Sequence, residues 1–193
     1  MIKHFNTYDI YRQNNYNIYP EKQMLAIDRL NSLCRYHALE YLIDCTILKH
    51  RKKSNGGCIF MFHLKFHDLW SDSCADIVKQ LIELTNSQLF NNSKVLRDYI
   101  WFLKQKNCEK NINATIIFFG NGETFARLDM IVKALQELLI MQKHLTGFKI
   151  DIPTLIPELR KPLIMRHADT SDGSLLLDIG FASDFNFPED TNK

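Results

Sequence analysis

From Glu21 to about Lys49, apolar side chains recur at Met24, Ile27, Leu30, Cys34, Ala38, Tyr41 and Cys45. Steps of three and four residues keep one face of an α-helix apolar, so this spacing predicts a long helix. It gives way to "KHRKKSNGG", where Ser-Asn and two glycines mark a loop. "CIFMFHLKF" (Cys58–Phe66) is too short and too rich in aromatic and β-branched residues for a helix, and reads as a strand. Ser71, Asp72 and Ser73 are all N-cap residues, and Ile77, Val78, Leu81, Ile82 and Leu89 behind them predict an amphipathic helix that stops at "NNS".

Val95–Lys106 and Asn113–Phe119 read as two strands joined by a polar turn, the usual outline of an antiparallel hairpin. After Gly120-Asn121-Gly122, the leucines and isoleucines from Leu128 to Leu139 return to helical spacing. "GFKIDI" (Gly147–Ile152) then predicts a strand, stopped by Pro153 and Pro157. The order from Cys58 to Ile152 is β-α-β-β-α-β. It predicts an α+β, ferredoxin-like domain: a four-stranded antiparallel sheet with both helices on one face. The long N-terminal helix is the natural cover for the other face, and "SLLLDIGF" (Ser174–Phe181) adds an edge strand. The expected layout is an irregular arm at 1–20, a helix and basic loop at 21–55, the ferredoxin-like core at 56–153, a C-terminal extension at 154–182 and an acidic tail at 183–193. Together they make a single globular domain, as suits 193 residues.

Composition narrows the class. At 46% hydrophobic and 24% charged, the chain can bury a core. The absence of a long apolar run argues against a membrane span, and an N-terminus rich in Tyr and Asn is unlike a signal peptide, so the cytoplasm is the expected compartment. Five cysteines with no Cys-x-x-Cys pair support neither a disulfide framework nor a zinc knuckle. Charge is uneven: residues 1–70 carry ten Lys/Arg against six Asp/Glu, and residues 151–193 carry four against eight. A mildly basic body with an acidic tail permits contact with nucleic acid without demanding it.

Three stretches, "FMFHLKFHDLW", "LRDYIWFLKQ" running on to "NATIIFFGNGE", and "MRHADTSDGSLLLDIGF", together resemble the inovirus gene-2-type replication proteins, also known as the YagK/YfjJ C-terminal domain of phage- and plasmid-derived genes. The resemblance spans roughly residues 58–181. It implies a DNA-handling domain whose third strand carries a metal-binding His-x-His and whose C-terminal part carries a nucleophilic Tyr. This chain departs from both. Aligned on Phe118-Phe119, the two histidine positions hold Ile112 and Ala114, and a shift of one residue offers only Asn113 and Thr115. No Tyr follows Ser174. A tyrosine attacking phosphate beside a polarising metal has no parts here. The implied protein is a catalytically inactive relative, with no metal or cofactor expected.

The remaining candidates are weaker. His63 and His67 would stand about 13 Å apart along a strand, too far for one ion. His167 has Asp169 within reach in sequence but no evident third partner. Tyr99 and Trp101 alternate with Phe102, so these aromatics read as core more readily than as a base-stacking platform. The most credible patch is Lys49, Arg51, Lys52 and Lys53 in the predicted loop, with Lys65 on the first strand, as cations for nucleic-acid phosphates. The expected function is a nucleic-acid-associated, DNA-binding domain. The alternative is a phage- or plasmid-encoded factor that binds a host or defence protein, with a homodimer through the long helix or an open sheet edge as one form.

Overall fold

The computed structural model describes residues 21–51, 58–89, 98–106, 109–120, 132–133, 136–137, 143–151, 154–155 and 161–182. The expected arm at 1–20 and tail at 183–193 lie outside them. The protein is α+β. Helix α1 (Glu21–Arg51) is followed by β1 (Cys58–His67), α2 (Ser71–Leu89), β2 (Asp98–Gln105), β3 (Asn111–Gly120), β4 (Leu145–Ile150), β5 (Thr154–Leu155), α3 (Lys161–Met165) and β6 (Leu175–Phe181). Of the predicted helix at 128–139, residues 132–133 and 136–137 are helical, and the rest lies outside the described residues.

Every strand pairing is antiparallel, and the sheet runs β4-β1-β3-β2-β6. β5 pairs with β1 at Cys58 and Ile59, beyond the stretch where β4 pairs with Phe62–Phe66. β4 and β5 therefore form one interrupted edge. Asp151 sits at the interruption, its N–H still donating to Met61 O at 3.0 Å. β5 and the short α3 had no sequence signal strong enough to predict.

Side chains alternate across a sheet, so each strand builds two cores. Even-numbered residues of β1 and β3 (Phe60, Phe62, Leu64, Phe66, Ile112, Ala114, Ile116 and Phe118) join Trp101 and Leu103 under α2, which contributes Cys74, Ala75, Val78, Leu81 and Ile82. Phe60 stacks on Phe118 at 5.2 Å between ring centroids, and Phe62 meets both edge-on. Ile59, Ile100, Phe102, Ile117 and Phe119 face the other way, against Leu39, Leu42, Ile43 and Ile47 of α1 and Ile164 of α3. Helices on both faces explain why β3 is buried without alternation over its last seven residues. Trp101 is core on one face and Phe102 on the other, which leaves neither as a stacking platform for bases.

Two polar devices tie α1 to the sheet. At its C-terminal end, His50 and Lys49 reach the two oxygens of buried Asp98 on β2, each at 2.7 Å, and the His50 ring stacks on Phe119. Further back, the Ser32 hydroxyl accepts the N–H of Leu176 at 2.8 Å, and Arg35 donates to Leu176 O. Leu176 lies at a bulge, where the β2–β6 register shifts between Leu103 and Lys104. A bulge leaves ladder groups unpaired, and α1 satisfies them.

Candidate functional site

The sheet face under α1 changes character midway along its strands. Ile59 and Met61 on β1 are followed on the same face by His63, Lys65 and His67. On β3, Phe119 and Ile117 give way to Thr115 and Asn113. Cross-strand register sets His63 beside Thr115 and Lys149, and Lys65 beside Asn113 and Gly147, with Lys104 of β2 next to Asn113. The apolar half is covered by α1. The polar half floors a pocket of about 550 Å³ whose opposite wall is the segment from Arg166 to Ser174. That wall is fixed locally: Asp169 accepts from the N–H and hydroxyl of Ser171, Asp172 accepts from those of Ser174, and Gly173 supplies the positive φ of the turn. Lys104 ties wall to floor, donating to Asp169 O and lying 3.6 Å from Asp172.

At one end of the pocket three distant segments converge. His63 Nε2 lies 3.0 Å from Asp151 Oδ2, and its Nδ1 lies 3.1 Å from the Thr115 hydroxyl. Lys149 holds the other carboxylate oxygen of Asp151 at 2.7 Å. The His167 ring lies 4.5 Å from that of His63, and its Nε2 lies 3.8 Å from Asp151 Oδ2. That separation is too long for a hydrogen bond, and this nitrogen is buried with no partner. Burial first, and the nearby His63 second, push His167 down to about 4 against an opposing pull from Asp151, so the imidazole is neutral near pH 7. Burial resists ionisation of Asp151, but hydrogen bonds from Lys149 and His63, reinforced by their charge, hold its carboxyl below the ordinary value. His63, Asp151 and His167 form the one group of three or more His, Cys, Asp or Glu among the described residues that is spaced to hold an ion.

The fates of the sequence candidates differ. The expectation that His167 lacks a third partner is corrected: it faces His63 and Asp151, while Asp169 is occupied by Ser171. His67 stays apart from His63, as strand spacing requires, and donates from Nδ1 to Asn111 Oδ1 at 2.8 Å. The predicted loop begins later than expected, because α1 continues through Lys49, His50 and Arg51. Lys49 points at Asp98 and His50 is buried, since both lie on the helix face that meets β2. Lys52 and Lys53 lie outside the described residues. Lys65 lines the pocket. On β3, Ile112 and Ala114 turn into the core under α2, whereas Asn113 and Thr115 reach the pocket.

Sequence reasoning missed the cluster because its members lie on β1, just after β4 and just after α3, with His63 and Asp151 separated by 88 positions along the chain. The available signal was the switch from Ile59 and Met61 to His63 and Lys65 on alternate positions of one strand. That switch marks where a covering helix stops. No protein-family model matches the chain, and no curated protein matches it either.

Proposed function

We propose that this chain is a nucleic-acid-binding domain whose phosphate-contacting surface is the polar half of the sheet. One observation carries the reading: the pocket is lined by five cations, Lys65, Lys104, Lys106, Lys149 and Arg166, against the carboxylates of Glu109 and Asp172, with Asp151 at its end and Asp169 in its wall, a net charge of +1 over Lys, Arg, Asp and Glu. Cations lining an open pocket suit the phosphate backbone, whose binding is dominated by release of counterions. Lys65 and Arg166 have no ion pair among the described residues, so their charge is free for a ligand.

The same reading takes the domain as ferredoxin-like and related to the mobile-element replication proteins that its strands resemble. Support comes from β1 lying between β3 and β4 in the order β4-β1-β3-β2, with β6 added at the β2 edge. It is a non-nicking relative: Ile112 and Ala114 stand where the resemblance asks for histidines, a shift of one residue offers only Asn113 and Thr115, and no Tyr follows Ser174.

Anisotropy of labelled single- and double-stranded DNA tests the proposal. Wild type binds at low salt with an affinity that falls steeply as salt rises. Lys65→Glu combined with Arg166→Glu weakens binding at least about tenfold, for all sequences alike, and flattens the salt slope. Absence of binding at low salt, or full retention in the folded double variant, refutes it.

A second reading, a protein-interaction factor, draws on Leu30, Leu33, Tyr41 and Leu48, each more than half exposed along α1. An apolar stripe of this kind suits a partner helix or a second copy of the chain. Light scattering of wild type and of Leu33→Glu/Leu48→Glu at high concentration tests the second-copy form. An assembly that the double variant dissolves supports it, and a wild-type monomer refutes it.

A further inference from the structure

We propose that His63, Asp151 and His167 bind one divalent transition-metal ion of the zinc or cobalt class, at the end of the cation-lined pocket. The three inward atoms, two imidazole nitrogens and one carboxylate oxygen, lie within 4.8 Å of one another. Around a tetrahedral ion with bonds near 2.0–2.1 Å, ligand atoms stand roughly 3.3 Å apart. The separations from Asp151 Oδ2, 3.0 Å to His63 and 3.8 Å to His167, bracket that value.

The outer contacts match what ligands need. Metal-bound histidines and carboxylates are oriented by partners on their other polar atom. Thr115 occupies Nδ1 of His63, which leaves Nε2 to face inward, and Lys149 occupies Oδ1 of Asp151, which leaves Oδ2 inward. His167 Nε2 is a buried nitrogen with no partner, aimed at the same point. An ion there would give that orphaned atom the partner it lacks, and burying a polar atom without one is costly.

Two imidazoles and a carboxylate favour zinc, cobalt or iron over the oxygen-seeking magnesium and calcium. Three protein ligands leave at least one coordination position for water or an anion, as at sites that act on substrates rather than staple a fold. The site takes no ligand from β3, where the family resemblance would put its histidines. It stands whether or not the pocket binds nucleic acid.

The test uses the full chain without nucleic acid, so its outcome is separate from that of the DNA experiment. Titration calorimetry with Zn²⁺ gives one ion per chain, and Mg²⁺ gives no comparable heat. Asp151→Asn and His167→Ala each weaken Zn²⁺ binding at least about 100-fold. Should either variant fail to fold, long-range ¹H–¹⁵N spectra of the wild type decide. Zn²⁺ shifts Nε2 of His63 and His167 and leaves His37 and His67 in place. Overturning results are no one-to-one binding, undiminished binding in both folded variants, or shifts on His37 and His67 instead.

Discussion

Asp98→Ala removes the buried carboxylate that joins the end of α1 to β2. Asp98 and His50 are both about 95% buried, and the carboxylate accepts from His50 and Lys49 at 2.7 Å each. Burial alone would raise its pKa, yet hydrogen bonds from His50 and Lys49, together with their charge, bring it down from 3.8 to about 2. At 1.36 kcal/mol per pH unit, the native state gains about 2 kcal/mol from the ionised form. The variant also leaves His50 buried with an unpartnered ring nitrogen, a cost of about 1–3 kcal/mol, whereas half-exposed Lys49 turns to water. These effects overlap, so the expected loss is about 2–4 kcal/mol, or roughly 5–12 °C in Tm for a chain of this size.

The pH dependence has a definite sign. A carboxyl depressed in the folded state stabilises it above the unfolded pKa near 3.8, and that contribution fades as pH falls toward 2. Urea unfolding followed by circular dichroism at pH 6, 4 and 3 should therefore show a gap between wild type and variant that is full at pH 6 and shrinks below pH 4. A gap under about 0.5 kcal/mol at pH 6, the range of ordinary surface substitutions, refutes the reasoning. So does a gap of the same size at pH 3.

Three further outcomes follow from packing. Gly180→Ala should cost about 1–3 kcal/mol and shift tryptophan fluorescence, because a Cβ at Gly180 would sit 2.4 Å from the Trp101 indole; unchanged stability and emission would show that the indole moves aside freely. Ser32→Ala should cost about 1–3 kcal/mol in denaturant unfolding, since it strips the buried Leu176 N–H of its acceptor, and Ser32→Thr should recover part of that loss. Burial raises the Cys74 thiol to about 11, so a thiol reagent at pH 8 should label exposed Cys34 in the native protein and reach Cys74 only on unfolding. Rapid native labelling of Cys74 would contradict the packing under α2.

Much of the fold was legible because it is written in local periodicity. The helical spacing of α1 and α2 and the aromatic density of β1, β2 and β3 found these elements, with ends off by a few residues where caps and turns are degenerate. "SLLLDIGF" was placed as an edge strand and pairs with β2. β5, two residues long, and α3, five residues long, offer no period to detect. The basic run at the end of α1 illustrates the limit: its charges suggested a free loop, but helical geometry carried Lys49 and His50 onto Asp98.

The candidate site divides in the same way. Sequence alone determined that the strands are apolar enough to build a two-faced core, that β3 offers no imidazole at 112–115, and that no Tyr lies between Ser174 and Lys193. Tertiary structure decided what the remaining polar residues do. Strand register brought His63 to Thr115 and Lys149, the break between β4 and β5 turned Asp151 inward, and the turn after α3 delivered His167. The physical reason is one of range. Periodicity is set by neighbours a turn or a pleat apart, whereas a cluster drawn from three separated segments exists only once long-range pairing has closed the chain around it.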